Sequence, residues 1–438
     1  MLRPLQYHIP LSEVIFAVSH AIDLVDPSLN QHNEKVAFVA LSLSQEMGYS
    51  VHNSLEIAYA ALLHDIGSLH ISIPLNDEGC FDRSQESFPK HAFWGAYLLE
   101  NCSSFSFAAN MIKYHHTPWH KVENRISLME AEGAQIIQIA DIFVEHTSAH
   151  PYAYSFKSSL TEIIKSLSGK TIRKDIIDHF LHLLAKEAFW LSALQSDKSS
   201  FRKSLLHGSG HALLTWRELT EVAHFFSFLI DMRSHFTASH SASVSAIGKN
   251  MAILSGFSDR EVEEIMVAGY FHDIGKVAVP VSILEKPGRL TDDEMLIMQG
   301  HTFYTREVMK EMSGLEKITS WAADHHETIA GNGYPYCIEG NDLSSGARLM
   351  AVADIFTAIL EDRPYRKGMT RKEAMAVLYG AVANNKICQR KVDLVENNFD
   401  LLFKALKETE ELSNDRFKAF WAKAMIIKSD GKPMKKVM

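Results

Sequence analysis

One order of histidines and aspartates is written twice in this chain, and it restricts the fold more than any other feature. The first half reads His32, then His64 and Asp65, His91, His115 and His116, and Asp141; the second reads His240, then His272 and Asp273, His301, His325 and His326, and Asp354. His240 follows His32 by 208 residues and His272 follows His64 by the same 208, His301 and His325 follow their counterparts by 210, and Asp354 follows Asp141 by 213. The apolar frames agree as well: ALLHDIGSLHI matches GYFHDIGKVAV, and EGAQIIQIADIF matches SSGARLMAVADIF. A repeated polar order inside matching frames indicates a tandem duplication. The seam is expected in SDKSSFRKSLLHGSGH, residues 196 to 211, where Ser, Lys and Gly interrupt the apolar periodicity. Two domains are therefore expected, 1–207 and 208–438.

The local pattern is helical. In EVEEIMVAGYFHD, Val262, Ile265, Met266, Gly269 and Asp273 follow the spacing of one helix face, which brings His272 and Asp273 to its C-terminal end. ARLMAVADIFTAIL reads as a buried helix carrying Asp354. Strand-like alternation is scarce, so the expectation is an all-α protein of two related helical domains.

Composition narrows the partners. With 46% hydrophobic and 22% charged residues over 438 positions, the chain can build a core in each half. A net charge of -9 argues against binding a nucleic-acid polymer through its backbone, which needs Lys and Arg to neutralise phosphates. Lys428, Lys432, Lys435 and Lys436 read as a solvated tail. No apolar run reaches the roughly 18 residues of a membrane span, and His8 and Glu13 interrupt any signal-like core. Cys80, Cys102, Cys337 and Cys388 show no CxxC pairing, so neither a disulfide framework nor a thiolate metal site is expected, and a reducing cytoplasm suits the chain.

Five histidines and two aspartates per unit form a metal-ligand set. Mixed imidazole and carboxylate donors suit Fe or Mn first, then Ni, Co or Zn, over Mg or Ca with their all-oxygen shells. Seven ligands exceed what one ion takes, so two divalent metals are expected, with Asp273 as the shared carboxylate. Two such cations about 3.5 to 4 Å apart activate a water for attack on phosphorus while neutralising the developing charge. Lys276, one turn beyond Asp273, is placed to meet a phosphate oxygen or to help protonate a leaving oxygen.

The order His, HisAsp, His, HisHis, Asp is similar to the HD superfamily of metal-dependent phosphohydrolases. HDIGK, HHETIAGNGYP and DRPYRK, in that order, resemble its HD-GYP branch over about residues 235 to 410. The resemblance implies a phosphodiesterase that opens a cyclic dinucleotide. Some members act on cyclic di-GMP and others on 3'3'-cGAMP, and the tandem layout is similar to the latter group in Vibrio. Gly331 and Gly333 are expected to permit the turns of the GNGYP loop, Pro335 to fix its exit, and Tyr334 to stack on or bond to the ligand. Arg363, Arg366 and Lys367 form a candidate phosphate clamp, a role the resemblance implies for Arg363 and Lys367. Two alternatives stand beside turnover: a sensor that binds the dinucleotide without cutting it, and a phosphohydrolase for another nucleotide.

Two departures matter. The branch's three-metal members resemble one another in a Glu four residues before the first histidine, where this chain has Phe236, so two metals are expected. The first half keeps a second ligand set, His32, His64, Asp65, His91, His115, His116 and Asp141, but has Ser68 in place of Lys276, HHTPWH without GNGYP, and VEHTSAHPY in place of the basic cluster. That half is expected to serve regulation, homodimerisation or a structural metal.

Overall fold

The computed structural model describes residues 9–25, 31–70, 90–148, 153–195, 199–208, 213–231, 233, 239–362 and 367–429. The chain forms two compact units, one running from Gln6 to Glu218 and taking in Glu311–Ser313, the other comprising Leu219–Lys310 and the residues from Gly314 onward. In the first unit α1 (Leu11–Asp23), α2 (His32–Glu46), α3 (Val51–Leu63), α4 (Lys90–Leu99), α5 (Ala109–Tyr114) and α6 (Leu128–Ser148) carry the repeat, with a 3-10 turn at Ile66–His70 after α3. The second repeats it with α7 (Trp216–Asp231), α8 (His240–Leu254), α9 (Asp259–Phe271), α10 (Asp292–Met309), α11 (Glu316–Ala323) and α12 (Ser345–Leu360), and a turn at Ile274–Ala278 after α9. The only strands among the described residues are Ile9–Pro10 and Leu213–Leu214, paired antiparallel in the first unit. The expected all-α class holds.

The local causes recur with the sequence. Ser50 and Ser258, 208 residues apart, cap α3 and α9 by accepting the N–H of the residue three positions on, and Glu261 completes a capping box on Ser258. Each such cap contributes about 1 kcal/mol and fixes where the helix starts. Val262, Ile265 and Gly269 of α9 are buried as their spacing requires, whereas Met266 is half-buried. α2 packs on α3 and α6, α8 packs on α9 and α12, and each 3-10 turn packs on the helix that follows it.

Those turns require glycine for space. A Cβ on Gly67 would lie 2.0 Å from the His91 carbonyl oxygen, and one on Gly275 would lie 1.9 Å from that of His301. The Gly of each HDIG therefore lets the turn close onto the helix bearing the third histidine, which brings Asp65 towards His91 and Asp273 towards His301.

The expected seam is corrected in one respect: Ser199–Gly208 is a helix. Phe201 and Leu205, four residues apart, are buried, and the Tyr59 hydroxyl donates to the Leu205 carbonyl at 3.4 Å. Polar residues are frequent there, but two apolar side chains at helical spacing suffice to dock a short helix.

Candidate metal centre

The ligands of the second half come from five elements: His240 from α8, His272 and Asp273 from the end of α9, His301 from α10, His325 and His326 from just past α11, and Asp354 from α12. Three of the imidazoles are oriented alike. Nδ1 of His272 donates to the Gly269 carbonyl at 2.8 Å, that of His301 to Met298 at 2.7 Å, and that of His325 to Ala322 at 2.6 Å. A ring whose Nδ1–H is spent on the carbonyl three residues back presents Nε2 as a lone pair. The Nε2 atoms of His272, His301 and His325 are buried without hydrogen-bond partners. Buried polar atoms are normally satisfied, so these three rings fit a metal.

Two groups of donors form. His240, His272 and Asp273 have ligand atoms within 4.8 Å of one another, and so do His301, His325 and His326. Asp354 Oδ1 lies 3.1 Å from His240 Nε2, which adds it to the first group. Asp273 faces both: Oδ2 is 3.2 Å from His272 Nε2 and Oδ1 is 3.5 Å from His301 Nε2. A carboxylate so placed could serve both donor groups.

Electrostatics suit the same use. Burial pushes the His301 imidazole down to about 3 and that of His325 well below its usual value, so both stay neutral, the form that ligates. Burial acts to raise Asp273, but the His272 ring and the Lys276 ammonium outweigh it and hold the carboxyl well below the usual range. Lys276 itself ion-pairs with Asp273 Oδ2, so the expected phosphate-facing cation sits on the carboxylate that faces both donor groups.

His240 differs from the three rings above. Its Nδ1 meets a carboxylate, Glu361 Oε2 at 3.0 Å, while its Nε2 meets Asp354. Burial opposes charge on this ring, but Glu361 and Asp354 outweigh it and raise its pKa. A carboxylate behind a ligating histidine fixes its tautomer and strengthens it as a donor. Sequence reasoning missed Glu361, because a lone glutamate before a basic stretch gives no periodic signal.

The GNGYP loop reaches the second donor group. The Tyr334 ring stands 4.9 Å from that of His326, and burial raises its hydroxyl pKa. Gly331 has φ +71, as the expected turn requires. Gly333 is needed for a different reason: a Cβ there would lie 2.5 Å from Glu327 Cα and 2.6 Å from the His326 carbonyl oxygen. The Tyr334–Pro335 bond is cis. Glu327, also missed from the sequence, pins the loop by accepting the N–H of Tyr336 at 2.7 Å and of Ile338 at 3.0 Å. Arg363, Arg366 and Phe236 lie outside the described residues; Lys367 is exposed.

The first half assembles the same seven donors. His32 Nε2 is 3.2 Å from Asp141 Oδ1, His64 Nε2 is 3.4 Å from Asp65 Oδ2, and His91 Nε2 is 3.7 Å from Asp65 Oδ1. His91, His115 and His116 form the second group, and burial lowers His116 to about 4. No helix of the described residues is long and apolar enough to cross a membrane.

Comparison with known proteins agrees with this layout. HD domain family models match twice, over residues 224–387 and 30–144. The chain is 27% identical over 411 residues to 3'3'-cGAMP-specific phosphodiesterase 1 of Vibrio cholerae, spanning 90% of this chain and 93% of that one. It is 37% identical over 152 residues to the cyclic di-GMP phosphodiesterase response regulator RpfG of Xanthomonas campestris, spanning 34% and 40% of the two. The crystal structure of a cyclic GMP-AMP-specific phosphodiesterase of V. cholerae, V-cGAP3, shares the fold with a TM-score of 0.62 at 21% identity, over 92% of this chain and 98% of that one. The chain therefore belongs to the HD-domain proteins, with two such domains in tandem.

Proposed function

We propose that the chain is a cyclic dinucleotide phosphodiesterase of the HD-GYP type, which opens 3'3'-cGAMP or cyclic di-GMP to the linear 5'-phosphoryl dinucleotide in its domain 208–438. The observation that carries this is Asp273, whose two oxygens face two histidine groups while Lys276 approaches the same carboxylate. The similarity to a cGAMP-specific phosphodiesterase over 90% of the chain supports it.

The seven donors would hold two divalent transition metals, Fe or Mn first, which supply charge to the phosphate and an activated water. Lys276 is the residue we assign to a non-bridging phosphate oxygen or the leaving oxygen. Tyr334 closes the site beside His326, with Gly333 and Pro335 shaping its loop, and Arg363, Arg366 and Lys367 are assigned to phosphate. The first half, with its own donors, is assigned to regulation, dimerisation or a structural metal, and the protein to the cytoplasm.

The product should be linear. Holding pApG or pGpG for a second cut would call for more positive charge, and Phe236 stands where a third metal would draw a carboxylate. Mn- or Fe-loaded full-length protein incubated with each ring and sampled by chromatography tests this. The expected result is accumulation of the linear dinucleotide before any mononucleotide. Early GMP or AMP without it would overturn the product argument, and tight binding of both rings without product would make the chain a sensor.

A further inference from the structure

Among the described residues, the second half buries a cation that no carboxylate meets. Arg233, two residues past the end of α7, is 5% exposed. Its Nη1 donates to the Val277 carbonyl at 2.6 Å, its Nε is buried without a hydrogen-bond partner, and no carboxylate pairs with it among the described residues. Burial alone pushes its pKa down to about 10. Buried charges are normally paired, because an uncompensated one is costly in a low-dielectric interior. Val277 directly follows Lys276 in the turn Ile274–Ala278, next to Asp273. The guanidinium thus lies against the backbone that carries the lysine assigned to phosphate.

The first half shows that this arginine is not needed to build the turn. The position 208 residues earlier is Val25. The turn Ile66–His70 forms there regardless: the Ser68 N–H bonds to the Asp65 carbonyl at 2.8 Å, as the Lys276 N–H bonds to Asp273 at 2.9 Å. Even the acid ending the preceding helix is kept, half-buried Asp23 accepting from Asn33 at 2.9 Å and buried Asp231 from Ser241 at 3.0 Å. The frame is common to both halves, while two cations, Arg233 and Lys276, give way together to Val25 and Ser68.

We propose that Arg233 is an anion-binding residue of the second half, supplying positive charge to a phosphodiester of the bound cyclic dinucleotide alongside Lys276. This rests on the function proposed above. A cyclic dinucleotide carries one negative charge on each of two phosphodiesters, so charge beyond that at the cleaved bond has to be met. A guanidinium in a dry site meets it with directed N–H donors.

The test uses the full-length, Mn-loaded protein with Arg233→Gln, which replaces the guanidinium by a neutral amide donor, and with Arg233→Lys, which keeps the charge. Arg233→Gln should retain its metal, melt no lower than the parent without ligand, and raise KM for 3'3'-cGAMP and cyclic di-GMP about 10- to 100-fold, the usual range for losing a charged hydrogen bond. Arg233→Lys should recover part of the loss. A lower melting temperature or failure to fold with Arg233→Gln, or a KM equal to the parent's, would make Arg233 a structural peg and overturn this inference alone. A parent chain that neither binds nor opens either ring overturns the proposed function and this inference with it.

Discussion

The two halves hold the same donors at nearly the same distances in a common helical frame and differ in single residues around them. His32 lies 3.2 Å from Asp141 where His240 lies 3.1 Å from Asp354, and His64 lies 3.4 Å from Asp65 where His272 lies 3.2 Å from Asp273. Yet Ser68 replaces Lys276, Thr117 replaces the loop-pinning Glu327, and Ser148 replaces Glu361. Gly95 stands where Thr305 ties the second turn down, its hydroxyl donating to the His272 carbonyl and accepting from the Gly275 N–H, each at 3.0 Å. Exposure diverges too: the Asp65 side chain is 18% exposed against 3% for Asp273, and His91 25% against 2% for His301. Gathering metal donors is a property of the helical frame, which duplication copies whole. The phosphate handling proposed for the second half rests on single residues, which the first half lacks while keeping the fold.

The largest effect should come from the cation that separates the halves. Lys276→Ala should lower kcat about 10²- to 10³-fold, in the range for removing a donor aimed at developing negative charge. Because Lys276 touches the Asp273 carboxylate from outside the donor set, the metal content of the purified variant should match the parent's. Elemental analysis beside the rate measurement separates the two effects. Normal turnover would reduce Lys276 to the ion pair it makes with Asp273.

A smaller effect should mark Glu361. Replacing it by Gln leaves a group of the same size behind His240 but removes the charge that strengthens the ring. Loss of such an outer carboxylate typically costs about 10- to 100-fold in metal affinity. Chelator competition on the full-length protein should show weaker binding of one metal, with the His301 group unaffected. Ser148→Ala, at the matching place in the first half, should change nothing. Equal affinities for parent and Glu361→Gln would mean that Asp354 alone orients His240.

What could be read from the sequence follows from the same contrast. The donor set was legible because histidines and aspartates recur in a fixed order, and subtracting one half from the other isolates what both retain. The subtraction hides residues present in one half only. Arg233, Glu327 and Glu361 each stand alone in their local patterns, and their roles depend on contacts 44, 11 and 121 residues away. Gly333 was legible as a residue but not as a cause, since close approach to Glu327 and not positive φ demands it. The helix at Ser199–Gly208 was obscured by its polar composition, although Phe201 and Leu205 carried the signal.

The smallest expected effect is the sharpest test of the comparison. The double substitution His64→Ala and Asp65→Ala removes two of the seven donors of the first half, including the carboxylate that faces both of its histidine groups. If that half holds metal only for structure or regulation, the second half should continue to open the ring with kcat within about twofold of the parent, since changes at sites that share no partners act nearly independently. Metal per chain should fall by whatever the first half binds, and any loss of melting temperature should accompany that fall. The two readouts fail differently. A drop in metal with turnover unchanged keeps the halves distinct in role. A loss of turnover in a folded protein that still carries two metals would mean that the first donor set takes part in the reaction, and that Ser68 and Thr117 mark a division of labour within one active protein instead of a silent copy.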